Sequence, residues 1–573
     1  MSTSKLPAWR HLLALAAPLL LLALALYWLL PRTEIPLASA PPAGAPAPAP
    51  ACPEQTYADA AALLAALPGA RYECAEQLAA SLRPLADAQV ADALLRMARE
   101  GAHDLERRNA LRVLGRLAES PQGSPARELV LRDRGADVQA TALELLASED
   151  DNFLLQDAVW LLDAHFFPSY SAAPALEGVA ARPGLAPALR YRAATARARL
   201  VAARPDPLAP EDREFILAGL RSDDPGVRAA AATAVANLRD GQLSGGTRAA
   251  LAEALSAAWS AEPPLSLAPD DPDPRDAGLL GFQESSPTSL TARAAIARAR
   301  DRLGAGRGAL EELRRSYERL ALPYSMAAGD LTLRAGLRPG ELPELISELT
   351  HARAALGQIL GPELDEPLPG EGAGRLTVVI FARQGIYRDY MRAFTDLPAE
   401  VDGTYDEATG TLYTHQRTAA QSENTLLETL RHELAHHEAA RRLFPGGWGD
   451  PGYHAEPKGW ADEGLAELLA GLGDAGPAPR PRQLARLCAA GGPPDVAALL
   501  ARREGYDRLG RFDYDGAWAL SYYLLSERPE ALRRLYRAYR GGGYSLERWG
   551  ELAGVSVAEA QAELGAALGR WCA

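Results

Sequence analysis

Residues 423–443 read ENTLLETLRHELAHHEAARRL. With no internal glycine or proline, the stretch is expected to form one helix. On it stands His432-Glu433-Leu434-Ala435-His436. Histidines at i and i+4 share a helical face one turn apart, so both imidazoles can reach one Zn²⁺ at about 2.0–2.1 Å. Glu433, between them, is placed to take a proton from a water that such a metal activates, which is the chemistry that hydrolyses an amide. A catalytic zinc takes a third protein ligand. The candidate is Glu463 in GWADEGLAELLA (459–470), 27 residues past His436. His437 and His454 are expected at the surface or behind the ligands rather than on the metal.

Working outward, RLTVVIFA (375–382) is the best strand pattern in the chain, and ELISELTHARAALGQIL (344–360) reads as an amphipathic helix. GTYDEATGTLYTHQR (403–417) reads as a hairpin turning at Ala408-Thr409-Gly410. Strands here and helices elsewhere imply an α+β chain. From about Tyr57 to Leu320 the pattern is helical and repetitive. RGADVQATALELLAS (134–148) and DDPGVRAAAATAVANLRD (223–240) each follow a turn and an Asp with a Val and small residues at helical spacing. That is the pattern of a HEAT-like all-α solenoid, whose helix pairs bury their faces against their neighbours. EPPLSLAPDDPDPRD (262–276) is expected to be an exposed acidic loop. The eight arginines against four acids between Thr291 and Leu320 are expected to form a solvated face.

The 573 residues predict three or four structural units at about 150 residues each. The net charge of −14 and a pI near 5.3 argue against a nucleic-acid partner. Residues 11–30, HLLALAAPLLLLALALYWLL, follow Lys5 and Arg10 and are long enough to span a bilayer, so a single transmembrane signal anchor is expected. The alternative is a cleaved signal ending near Ala38-Ser39-Ala40. The expected order is a cytoplasmic tail (1–10), the anchor (11–30), a Pro/Ala-rich linker (31–56), the helical-repeat domain (57–320) and a second domain (321–573). The body would then lie in the periplasm or outside a bacterial cell, held to the membrane, or be secreted after cleavage. Export permits disulfides, and the expected pairs are Cys52–Cys74 and Cys488–Cys572.

The run from Leu376 to Leu469 resembles the peptidase domain of the bacterial collagenases, zinc metallopeptidases of the gluzincin group. LTVVIF, GTYDEATGTLYTHQRT, LLETLRHELAHHEAARRLFPGGWG and WADEGLAELLAG carry the resemblance, in the family's order. It implies a thermolysin-like peptidase domain with a C-terminal helical subdomain, preceded by a helical activator that closes on it like a saddle. It makes His432, His436 and Glu463 zinc ligands, Glu433 the general base, Glu407 a calcium ligand, and Tyr514 the hydroxyl that steadies the oxyanion. Glu467, one turn beyond Glu463, would orient a ligand. Substrate would lie along an exposed strand near Thr411 to His415. The activity implied is hydrolysis of peptide bonds in collagen or other extended chains, with Zn²⁺, and Ca²⁺ as a second ion. The alternatives are an envelope peptidase acting on other polypeptides and a non-catalytic binding scaffold.

Overall fold

The computed structural model describes residues 59–573 except 71–73, 121–122, 164–169, 206, 268–286, 369–373, 400, 418–423, 447–456, 474–475, 491 and 502–510. The chain divides into two units, Met1–Pro50 and Ala51–Ala573. The first lies outside the described residues.

Helices run from Ala60 to Ala261, many opened by short polar caps. Asp224 is representative: it accepts from the Gly226 and Val227 amides, and Pro225 stands at the first helical position, where no N–H is needed. Small residues let these helices approach closely. At Gly219 an added Cβ would stand 2.6 Å from Ala231 Cβ, and Gly115 lies directly against the Trp160 ring. Two apolar clusters follow one another along this half, meeting on one helix, where Ala194 belongs to the first and Ala198 to the second.

Helix α1 (Ser289–Arg302) and helix α2 (Ala309–Ala321) join this half to the next. Strands β1 (Tyr324–Ala328) and β2 (Leu331–Ala335), helix α3 (Leu342–Leu360) and strand β3 (Leu376–Phe381) follow. Then come helix α4 (Gln384–Phe394) and the hairpin strands β4 (Gly403–Asp406) and β5 (Thr411–His415). The sheet order is β1-β2-β3-β5-β4. The two outer pairs are antiparallel, whereas β2/β3 and β3/β5 are parallel. The period of two sorts the side chains. Val378, Ile380 and Leu412 enter the large core shared with α3, and Val379, Phe381 and Tyr413 enter a second core with α1, α2 and α4. The β4–β5 turn is closed by Asp406, which accepts from the Ala408 amide and the Thr409 hydroxyl. Gly410 completes it at φ 60°.

Several expectations are corrected. Where an α+β chain was expected, the described residues are mostly helical, with a small five-stranded sheet and a two-stranded ribbon. Among the described residues no helix is long and apolar enough to cross a membrane, and residues 11–30 lie outside them. The structure therefore lends no support to the expected transmembrane anchor, the membrane as partner or the membrane-held location. Of the expected exposed acidic loop, Pro263, Pro264 and Ser266 are exposed, but the Glu262 carboxylate is buried against Arg228 at 2.6 Å, and the run beyond residue 267 lies outside the described residues. Part of the expected solvated arginine face is instead consumed in packing. Arg293 donates to the Glu262 and Pro263 carbonyls, Arg298 to that of Ala393, and Arg302 to that of Leu238. Strand β5 is not an edge. It lies between β3 and β4 and is buried along its length, because helices cover both faces of the sheet; the edge on this side is β4.

Candidate active site

Helix α5 (Leu426–Arg442) opens on a capping box, in which the Thr425 hydroxyl accepts from the Glu428 amide and the Glu428 carboxylate accepts from the Thr425 amide. His432 and His436 lie one turn apart, with Nε2 atoms 3.1 Å from each other. Helix α6 (Gly459–Ala470) packs against α5 and brings Glu463 Oε2 to 3.4 Å from His432 Nε2 and 3.6 Å from His436 Nε2. One ligand atom from each of the three residues lies within 4.8 Å of the other two.

The outer imidazole nitrogens are also held. His432 Nδ1 stands 3.3 Å from Glu467 Oε1, and His436 Nδ1 stands 3.0 Å from Asp462 Oδ1. Both Nε2 atoms are thereby turned toward Glu463, the arrangement that metal-binding histidines use. Glu467 is itself anchored by Arg480 and by Gln483 Nε2 at 3.2 Å, and Arg480 donates on to Asn424 Oδ1 at 2.9 Å.

The electrostatics suit a cation. Burial opposes charge on His432, yet hydrogen bonds to Glu463 and Glu467 raise its pKa to about 9. Burial likewise opposes charge on His436, and Asp462 and Glu463 raise it well above the ordinary histidine value. Carboxylates that pull both rings toward the protonated form surround a place for positive charge. Glu463 Oε2 is buried there with no hydrogen bond of normal geometry among the described residues. Two imidazoles and a carboxylate are a donor set that suits Zn²⁺.

Glu433 is buried, and burial raises its pKa although both histidines act against the rise. Helix α7 (Arg511–Glu527) crosses α6 closely at Gly464, whose missing side chain admits Ser521 and the Ala517 carbonyl. This crossing brings Tyr514 to Glu463. The charge of Glu463 and burial raise the phenol's pKa, so it is a proton donor at neutral pH.

The structure thus brings His432, Glu433, His436, Glu463, Glu467 and Tyr514 together. Glu407 stands in the β4–β5 turn, where its charge adds to burial in raising the Tyr405 hydroxyl, and it is not part of the ligand group. His437 is not at the surface: it is 2 % exposed, with Nδ1 2.8 Å from the Tyr405 hydroxyl. His454 lies outside the described residues. Sequence reasoning missed Asp462 and Arg480. Asp462 had a signal, since it immediately precedes the proposed ligand on the same helix; Arg480 had none.

Residues 310–555, which include every candidate site residue, match the family model described as collagenase. The chain is 28% identical over 235 residues to collagenase ColQ1 of Bacillus cereus (strain Q1), covering 39% of this chain and 24% of that protein. It is 37% identical over 81 residues to collagenase ColA of Clostridium perfringens (strain 13 / Type A), covering 14% and 7%. It is 28% identical over 140 residues to collagenase ColT of Clostridium tetani (strain Massachusetts / E88), covering 24% and 14%. The matches span less than a quarter of each relative's length. Family model and relatives agree: the segment 310–555 belongs to the bacterial collagenase family.

Proposed function

We propose that this chain is a zinc-dependent endopeptidase of microbial collagenase type, cutting collagen or other extended polypeptides. The observation that carries the reading is the convergence of His432, His436 and Glu463, each contributing a ligand atom within 4.8 Å of the others. Zinc held there would polarise the scissile carbonyl and acidify water. Glu433 is the general base: its buried carboxylate, with a raised pKa, takes a proton from the attacking water and passes it to the leaving amine. Tyr514, kept protonated beside Glu463, donates to the oxygen on which negative charge develops. Asp462 and Glu467 keep the two imidazoles turned toward Glu463. We further propose 57–320 and 321–573 as the helical and peptidase domains, supported by the first strand beginning at Tyr324. Ca²⁺ at Glu407 rests on the family resemblance and on the carboxylate's place in an open turn.

The test is the full chain, loaded with zinc, against native triple-helical collagen and heat-unfolded collagen. Glu433→Gln should keep zinc and lose turnover by about 10³-fold or more. Cleavage by that variant at the parent's rate refutes the mechanism. Cleavage of unfolded chains alone would make the substrate polypeptide in general rather than the triple helix.

A further inference from the structure

Behind Glu433 a second charged group is buried that the proposed chemistry does not use. Arg417 follows β5, and its side chain is 1% exposed. Its Nη1 donates to the Asp402 carbonyl at 3.2 Å and lies 3.2 Å from Asp402 Oδ1; its Nη2 donates to Thr414 Oγ1 at 3.0 Å. The Thr414 hydroxyl donates to the same Asp402 carbonyl at 2.8 Å. Two donors from the β5 side therefore converge on one backbone oxygen. A buried guanidinium is costly unless its partners are well placed. Burial lowers the proton affinity of Arg417, and the Asp402 carboxylate works against that loss.

The residue after this carbonyl is Gly403, the first of β4, paired with Thr414. At Gly403 the edge strand meets the active-site helix. An added Cβ would stand 2.5 Å from Thr429 Cγ2, 3.3 Å from Glu433 Cγ and 3.4 Å from Glu433 Oε1. The glycine is not demanded by a left-handed backbone, since its φ is not positive. It is demanded by the space that Thr429 and Glu433 occupy. Where Asp402 is held thus decides how closely backbone is pressed against the Glu433 side chain.

We propose that Arg417 is a positioning residue: by gripping the Asp402 carbonyl and carboxylate, it sets the start of β4 so that Gly403 backs Glu433 and restricts it to one orientation. The role rests on the reading of Glu433 as the base. It acts through backbone placement, so it changes how often the carboxylate is correctly aimed and leaves substrate affinity alone. Misplacement of a reacting group by about 1 Å costs up to about 10²-fold in rate.

The experiment uses the full zinc-loaded chain and the variants Arg417→Gln, Arg417→Lys and Thr414→Val. The last is nearly isosteric and removes one of the two donors, so it serves if Arg417→Gln fails to fold. Two quantities are read: hydrogen exchange of the 402–406 backbone by mass spectrometry, and kcat and KM on heat-unfolded collagen. The expected result for Arg417→Gln is exchange at 402–406 at least about tenfold faster, zinc retained, kcat down about 10–100-fold and KM within about twofold. Arg417→Lys should recover part of kcat, and Thr414→Val should show a smaller loss of the same kind. Unchanged exchange at 402–406 in an active chain overturns the proposal. So does a kcat loss that Lys does not relieve and that follows a matching loss of zinc or melting temperature. A parent that cleaves nothing while its 402–406 exchange responds to Arg417→Gln overturns the peptidase reading, and with it the role, but not the grip on β4.

Discussion

Gly464→Ala is the sharpest structural test of the crossing between α6 and α7. The new Cβ would lie 2.7 Å from the Ala517 carbonyl oxygen and 3.0 Å from Ser521 Cβ, with Ser521 Oγ nearer still. Ordinary contact begins at 3.4 Å, so α7 must withdraw by about 0.7 Å even if the serine hydroxyl yields. Overpacking of this kind costs about 1–3 kcal/mol, while Ala in place of mid-helix Gly returns about 0.5–1 kcal/mol. The expected net destabilisation is about 1–2 kcal/mol. The same displacement carries Tyr514 away from Glu463, so turnover should fall about 10–100-fold. Ser521 Oγ has no hydrogen-bond partner among the described residues, so Ser521→Ala alone should be nearly neutral. It should recover part of the loss in the double variant, because the hydroxyl clash goes while the carbonyl clash remains. The assay is a denaturant-midpoint series on the parent, both single variants and the double, with kcat measured beside it. Equal stability and turnover in Gly464→Ala would refute the close crossing and Tyr514's dependence on it.

Other outcomes follow from the same geometry. Glu467→Gln, which removes the charge beside His432 Nδ1, should weaken zinc affinity about 10–100-fold in competition with a chelator, and an unchanged affinity would deny it that role. Because His432 titrates near 9 without metal, zinc binding at pH 7.5 should release protons, measured by calorimetry in buffers of different ionisation enthalpy. His415 is held neutral by burial and by Arg417, its pKa lowered to about 4 against an unfolded value of 6.5. The unfolded chain therefore binds the proton first, and up to about 3 kcal/mol of stability is lost as pH falls from 6.5 to 4. His415→Asn should flatten that window of the unfolding curve. The Cys488–Cys572 disulfide closes a span of 84 residues, so the double serine variant should lose up to about 4–5 kcal/mol of stability.

Legibility in the sequence depended on distance along the chain. The His432–His436 face needs nothing beyond 3.6 residues per turn, and it formed as read. The strand over 376–381 and the turn closed by Asp406 and Gly410 were likewise carried by local pattern and local hydrogen bonds. The expected Cys488–Cys572 pair is present, and Cys74 is disulfide-bonded to a partner outside the described residues. What failed was read one element at a time. The resemblance implied an exposed strand at Thr411 to His415, yet β5 lies between β3 and β4 and is buried along its length. Glu262 opens a proline-rich acidic run, yet its carboxylate meets Arg228 from 34 positions earlier. The arginines after Thr291 look like a solvated stripe, yet several reach carbonyls of other elements.

By itself the amino-acid sequence determined the two-histidine helix with its intervening glutamate, the candidate third ligand and the family of the segment that carries them. All of these depend on residue types at fixed short spacings, which the covalent chain imposes. Only the tertiary structure decided that Asp462 and Glu467 hold the outer nitrogens, that Tyr514 lies beside Glu463, that β4 is the edge and that Arg417 grips the Asp402 carbonyl just before it. Those partners sit on separate elements, and they meet because Gly464 and Gly403 leave room for helices and strand to close on one another. Such close approach follows from packing the whole body, and no local spacing encodes it.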